Sequence, residues 1–350
     1  MIIYSKSSAL VPGVIGGLET PIKMIIEHES DLLTKKGGVC DWLFNVEKSN
    51  KFGETIIGQN DFETFKYTEE GAAAPKDAVV ESYSKFIEHI QFMKEFVITA
   101  EMMEDANYGI AGDAKRRAEN FVRAYYKTIN RVCETALYSA VNDSITYGGA
   151  TLDLSCADQL PLFHKNHAWG SDFSASGKSG TQSNYFWGNL YGDGISTGAF
   201  EEILTDCAMR LRNMKDENGD PLGYTADTII LPSNRAALES TVKKVCGSYG
   251  ALGNGYNDIN LHAGCWNVIV LPNWQTSSDR FMVMSSEANK NLAGNMFFNR
   301  VPLTVTNWVD HHTGNYIWNG RCRFGVGFGT YKHIMLVANS TEEVGGASAF

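Results

Sequence analysis

The clearest pattern of apolar and polar positions runs from about Ala111 to Asn142, where Ala118, Val122, Tyr125, Ile129, Val132, Ala136 and Ala140 alternate steps of four and three. That spacing predicts one long amphipathic helix. A different period governs Tyr316 to Phe328. Tyr316, Trp318, Cys322, Phe324, Val326 and Phe328 share one parity, and Arg321, Arg323, Gly325 and Gly327 share the other. Alternation of this kind predicts a strand. Its glycine stripe is expected to let another element come close. A phosphate-cradling loop needs its glycines between a strand and a helix; here TYKHIMLVAN continues extended, so that reading fails.

Around these two elements the chain divides into contrasting stretches. Residues 1–45 read as an arm with one short helix, opened near Thr20-Pro21 and carrying Ile22, Ile25, Ile26 and Leu33 at helical spacing. From 46 to 98 the pattern is extended, FETFKYTEEG, then AAAPKD, then AVVESYSKFIEHIQFMKEFVIT, and reads as a long two-stranded excursion. Lys66, Glu69, Glu70, Lys76, Asp77, Glu81, Lys85 and Glu88 put charge on both of its faces, which argues against burial within its own domain. Residues 143–196 are rich in Gly, Ser, Asp and Asn and read as a long, partly mobile connection. A compact α/β segment follows. It has a helix with Phe200, Leu204, Cys207, Ala208 and Leu211 on one face, the turn ENGDP, the apolar strand TIILP, a helix opened by Ser233, and the strand NVIVLP. From about 280 onward RFMVMSS, VPLTVTNWV, YIWNGRCRFGVGF and HIMLVAN read as antiparallel strands.

Composition narrows the function. The 350 residues include 30 basic and 40 acidic side chains, a net charge of −10, which argues against a protein whose main task is gripping nucleic acid. Seven scattered cysteines without a CxxC pair suit reduced thiols and synthesis in a cytoplasm. No signal peptide or membrane-span pattern is legible, so no membrane partner is expected. His164 and His167, with Cys156 upstream, form the better of two weak zinc candidates; a familiar fourth ligand is missing. Adjacent His311 and His312 fall in a hairpin turn and point apart. Gly177-Lys178-Ser179 lacks the glycine five positions earlier, where Asp172 stands, and reads as linker. The paired carboxylates, such as Glu201 and Glu202, read as solvated faces. Catalysis has no address, and neither a cofactor nor a metal is expected.

Three quoted stretches carry a resemblance. YTEEGAAAPKDAVVESYSKFIEHIQFMKEFVITAEMMEDANYG resembles the extended loop of tailed-phage major capsid proteins returning into the spine helix. LPLFHKNHAW and MRLRNMKDENGDPLGYTADTIILPSNRAALES resemble the Mu-type major head subunit. Together with the order of elements, they make the chain similar to the major capsid proteins of the Hong Kong 97 type of fold over most of residues 50–335. The fold class implied is α+β. It comprises an N-terminal arm (1–45), an extended-loop hairpin (46–98), a peripheral domain with the spine helix and a long loop (99–195), a compact α/β axial domain (196–278), and a return to an antiparallel peripheral sheet (279–350).

The resemblance implies a non-enzymatic, self-assembling shell of hexamers and pentamers. That shell, icosahedral or prolate, would enclose double-stranded DNA held loosely and without sequence preference, in a virion made in a bacterial cytoplasm. Neighbouring subunits are implied as partners through the arm and the loop, with Phe62, Phe65, Lys66, Tyr67, Glu70, Lys76, Asp77 and Lys85 as contact residues. A portal and a decoration protein are further partners. The chain starts at Met1 without a long charged helical segment, so a separate scaffolding protein is expected. Nothing assigns the lysine, asparagine and acidic trio by which some members cross-link. Two other classes remain: an encapsulin-like nanocompartment shell of the same fold, and a zinc hydrolase using His164, His167 and Cys156.

Overall fold

The computed structural model describes residues 3–4, 15–59, 65–73, 76, 81–99, 101, 110–170, 179–191, 194–247 and 260–350. In chain order the first elements are β1 (Ile3–Tyr4), α1 (Ile15–Lys36), α2 (Val39–Leu43), β2 (Asn45–Lys48), β3 (Gly53–Gln59), β4 (Glu81–Glu88), β5 (Ile90–Ile98) and α3 (Ile110–Tyr138). Short strands follow: β6 (Ser144–Tyr147), β7 (Ala150–Asp153), β8 (His167–Gly170), β9 (Ser179–Gln182) and β10 (Tyr185–Gly188). Then come α4 (Thr197–Arg212), β11 (Thr228–Pro232), α5 (Ala236–Gly247), β12 (Asn267–Leu271), β13 (Arg280–Met284) and α6 (Ser286–Asn291). The chain closes with β14 (Asn295–Val309), β15 (Tyr316–Phe328), β16 (Ile334–Asn339) and β17 (Ser348–Ala349). The result is a mixed α+β protein of two compact units, each assembled from three chain segments.

The first unit, residues 1–54, 87–133 and 297–326, is built on a sheet in the order β1-β14-β15-β5, with β2 also on β14. Helix α3 lies on that sheet because Ala118, Phe121 and Val122 meet Ile98, Leu303, Val305 and Trp318, and Ile22 and Ile26 of α1 join the same core. Phe96 stacks on Trp318 at 6.0 Å and meets Phe121 at 5.1 Å. Trp318, Cys322, Phe324 and Val326 are buried as the parity implies, with Arg321 exposed and Arg323 half-buried between them, but Asn319, Gly325 and Gly327 on the opposite parity are buried as well. Within the stripe, a Cβ at Gly325 would stand 2.7 Å from His89 Nδ1; Gly320, on the other parity and outside that expectation, lies where a Cβ would overlap the Phe121 ring.

The second unit, residues 55–86, 134–296 and 327–350, has a six-stranded sheet in the order β12-β11-β13-β16-β10-β17. Its core joins Phe200, Leu204, Cys207 and Leu211 of α4 and Leu238, Val242 and Val245 of α5 to Ile229, Leu231, Phe281, Val283, Met335 and Val337. Ser196 caps α4 by accepting from Ala199 N. The ENGDP turn forms as an Asx turn, Asp216 Oδ1 accepting from Asn218 N and Asp220 N. Of the seven cysteines, six are buried and Cys265 is exposed.

Several expectations are corrected. Helix α1 is long and already begins at Ile15, so Thr20-Pro21 does not open it; buried Ile22 and Ile26 supply the tertiary packing that overrides the local signal. Strand β5 does not belong to a free excursion, because Ile90 to Ile98 pairs antiparallel with Phe324 to Tyr316. Its alternation was visible, but the partner strand lies more than 200 residues away. The described residues within 143–196 form hairpins β6-β7 and β8-β9 and bury Leu154, Leu162 and Phe163, while the centre of that stretch, 171–178, lies outside them. Four-residue strands are too short to register as a period. Residues Asp172, Gly177 and Lys178 lie outside the described residues. Strands β13 and β16, expected in the closing sheet with β14 and β15, instead pair with β11 and with each other and complete the sheet of the α/β segment. Ser233 does not cap α5; its hydroxyl donates to Pro272 O at 3.0 Å.

Two predictions follow from packing. A Cβ at Gly329 would run into the Ala293 carbonyl, a backbone atom that cannot rotate away. Gly329→Ala is therefore expected to lower unfolding free energy by about 1–3 kcal/mol, while Gly345→Ala, facing open space, changes it by less than about 0.5 kcal/mol. Denaturant unfolding of the two variants checks this. His333 is wholly buried with Nε2 bonded to Asn295 Oδ1 at 2.9 Å, and burial drives its pKa down to about 3. The unfolded chain then binds a proton that the folded chain refuses. Its contribution is complete above the ordinary histidine value and is lost as pH falls from there toward 3. Unfolding measured between pH 6.5 and 4 should lose up to about 1.4 kcal/mol per pH unit from this group, and His333→Gln should flatten that slope.

Candidate assembly surface

Strands β3 and β4 form a two-stranded sheet of their own. Two strands cannot bury both faces, so such a hairpin needs something to cover it. At its far end residues 65–73 are exposed throughout, with the Phe65 ring fully bare and Tyr67 92% exposed. Local bonds shape the segment. Thr68 Oγ1 donates to Lys66 O at 3.3 Å, and Ala72 N donates to Glu69 O at 3.0 Å. Gly71, at φ +83°, supplies the left-handed residue of that turn. Both aromatic side chains are thus held in water beside an ordered turn.

The root of the hairpin is the opposite. Lys85 is only 6% exposed, and its Nζ donates to Asp153 Oδ2 at 2.5 Å and Ser155 Oγ at 2.8 Å. Ser155 in turn donates through N and Oγ to Asp153 Oδ1. Partial burial pushes the Asp153 carboxyl up, but the bonds from Lys85 and Ser155 prevail and hold it below the usual carboxylate range. This three-residue clamp ties β4 to the β6-β7 hairpin. Lys85, expected to contact a neighbour, is thus consumed within its own chain, a correction whose cause is the carboxylate 68 residues away. Phe65, Lys66, Tyr67 and Glu70 are brought together at the tip, and Lys76 is exposed as well. Phe62 and Asp77 lie outside the described residues. Nothing in the local sequence announced Asp153 and Ser155 as the anchor.

The histidine and cysteine candidates are gathered differently from a metal centre. His167 is fully buried, stacked at 3.8 Å on Tyr331, with Nδ1 2.6 Å from Asp158 Oδ2 and Nε2 3.2 Å from Leu162 O. Both ring nitrogens thus already face oxygen acceptors of its own chain. His164 lies 6.0 Å from it, ring to ring. Burial first, and Asp158 second, push the Cys156 thiol well above its ordinary value, the reverse of what a thiolate ligand needs. Among the described residues, no group of three or more His, Cys, Asp or Glu side chains is placed to hold an ion. His311 and His312 sit in the turn that Asp310 closes by accepting from Thr313 Oγ1 at 2.7 Å and His312 N at 3.1 Å. A recess of about 490 Å³ lined by Cys156, Asp158, Trp169, Glu217, Tyr331 and Lys332 adjoins this region. Its lysine is spent on Glu217 at 2.5 Å. Among the described residues, no helix is long and apolar enough to cross a membrane.

The family model described as phage capsid protein matches residues 83–337, from β4 to within β16. Solved structures of similar fold include the capsid of the cyanophage P-SCSP1u, with a TM-score of 0.51 and 11% identity over 86% of this chain and 87% of that one. The capsid of a native GTA particle gives 0.50 and 15% over 86% and 90%. Mycobacterium phage Cain gives 0.50 and 12% over 88% and 92%. Likeness at such identities is likeness of fold. No curated protein sequence matches the chain. The family match, by contrast, spans far more than half the sequence, including the clamped strand β4, helix α3 and most of both sheets. The chain belongs to the phage capsid protein family.

Proposed function

We propose that this chain is the major capsid protein of a tailed double-stranded DNA bacteriophage or prophage, self-assembling into the head shell that encloses the genome. The observation that carries this beyond the family is the β3-β4 hairpin, clamped at its root yet bare at its aromatic residues Phe65 and Tyr67. A protein that ends its task as a monomer gains nothing from such an element. A shell subunit gains a contact. In this reading the hairpin is the extended loop, α3 the spine helix and residues 1–45 the arm. Residues 196–278 are the axial domain, its sheet completed by β13 and β16. The shell is closed by hexamers and pentamers, and the protein acts as a structural element and not as a catalyst. The net charge of −10 suits a wall that holds packaged DNA loosely, with cations bridging the two. A separate scaffolding protein, a portal and a decoration protein complete the partners.

Electron microscopy with light scattering tests this. The purified chain should form closed shells, or five- and six-fold rings, and a variant lacking residues 72–77 should stay folded and soluble but fail to assemble. Unfolding on that deletion would place the tip in the core and remove the main support for the proposal. Lys85→Ala should loosen the root, seen as faster amide exchange in residues 81–88 and 150–155, with the remainder of the second unit protected as before.

A further inference from the structure

Helix α3 sorts its residues by face. Its buried positions Ala118, Val122 and Ile129 lie half a turn from Arg116, Asn120, Arg123, Lys127 and Arg131, every one of them exposed. Between residues 115 and 131 seven positions are exposed in all, Lys115 and Arg117 being the other two. Six are basic, one is an amide, and none is acidic or apolar. For a chain of net charge −10 this is a strong segregation of sign.

Two carboxylates reach the row and neutralise part of it. Glu119 lies 3.9 Å from Lys115 and 3.8 Å from Arg123, and Glu29 of α1 accepts from Arg123 at 2.6 Å. Arg117 spends one of its five N–H groups on Val97 O at 2.8 Å. The far end is unspent: Lys127 and Arg131, one turn apart, make no ion pair among the described residues. Lys94 of β5, exposed and likewise without an ion pair among them, borders a recess of about 120 Å³ that Ala124, Thr128, Phe121 and Gly320 also line. Lys127 and Arg131 stand three residues beyond Ala124 and Thr128, so three unneutralised cations share one flank.

The composition of the row selects its ligand. A protein partner would need apolar anchors to bury at the centre of the contact, and the seven exposed positions include none. A single strand would need aromatic side chains on which bases stack, and none is exposed there either. A polar, strongly basic face is what a duplex backbone requires. From Arg116 to Arg131 the row runs about 22 Å, a length over which one DNA strand presents about six phosphates. We propose that this face of α3 is the shell's contact with duplex DNA, its cations meeting backbone phosphates without reading bases. The inference rests on the shell reading for the source of the DNA, and adds which surface of the subunit turns toward it. The acidic remainder of the chain does not cancel the row, because charges beyond about 8 Å are screened at physiological salt. A few phosphate contacts are weak in one copy, yet repeated over many copies they restrain the duplex while each one exchanges.

Duplex binding by the full chain tests the contact. Fluorescence anisotropy of a labelled mixed-sequence duplex of about 30 base pairs compares three proteins below the concentration of assembly. They are the unaltered chain, the α3 pair Lys127→Gln with Arg131→Gln, and a pair of equal charge change in the other unit, Lys243→Gln with Lys244→Gln, both exposed on α5. With about four phosphates neutralised, the affinity of the unaltered chain should fall about 150-fold between about 50 and 200 mM salt, and that of the α3 pair, two contacts poorer, only about 12-fold. At the lower salt the α3 pair should bind at least about tenfold more weakly, and the α5 pair within about twofold of the unaltered chain. Shells formed with the duplex present should carry it down on sedimentation and lose most of it in the α3 pair, which reads the same contact where dispersed subunits cannot be kept. An unaltered chain that ignores the duplex at the lower salt overturns the inference. So does an equal loss in both pairs, which would make net charge the cause, or tighter binding to a single strand of the same length. An α3 pair that binds the duplex normally but no longer assembles makes the row a contact between copies, so that the inference falls and the shell reading stands. A chain that binds through the row yet never assembles overturns the shell reading and keeps the DNA face.

Discussion

The first unit depends on one close approach. The Phe121 ring fills the space that a side chain at position 320 would occupy, so α3 settles onto β15 at a distance only glycine permits. From that seating follow the stack of Phe96 on Trp318, the burial of Val122, and the alignment of α3 with α1, where Tyr126 shares its hydroxyl with Ser30 and Thr34. The same glycine shapes the recess beside it, because Gly320 and Phe121 are both among its walls. A packing requirement of the core and an opening on the surface thus have a common origin. Sequence change at position 320 cannot alter one without the other.

Legibility in the sequence followed the range of the interactions. Helix α3 and strand β15 were readable because their periods are long, whereas Gly320, the glycine that Phe121 requires, lies on the parity opposite to the stripe read from the sequence. The turn at Asp216 was readable because its bonds reach only two and four residues along the chain. What escaped was assigned by distant partners. Strand β5 looked like part of an excursion until β15 was seen beside it, and Lys85 looked like a surface charge until Asp153 was. Strands β13 and β16 read correctly as strands, yet no local feature of RFMVMSS or HIMLVAN says which sheet they join. Short hairpins such as β6-β7 fell below the length at which alternation can be distinguished from chance.

The candidate surface shows the same division. The tip was legible as charged, aromatic and lacking a core of its own. Burial also reassigned the polar candidates. His167 and Lys332, which in isolation are a ligand and a surface cation, are each fixed by an acidic partner, Asp158 and Glu217, and serve to close polar groups inside the fold. Histidines, cysteines and carboxylates gathered in one neighbourhood can thus be held by one another's polar groups.

The cysteines carry a consequence for durability. Burial raises the thiols of Cys156 and Cys207 far above the ordinary range and those of Cys246 and Cys322 to about 11, so at neutral pH they stay protonated and react slowly with oxidants. The packing around these thiols is thereby shielded from oxidation as long as the fold holds. Only Cys265 meets solvent. The single chain thus presents one thiol to solvent, and a thiol reagent has one address on the folded protein.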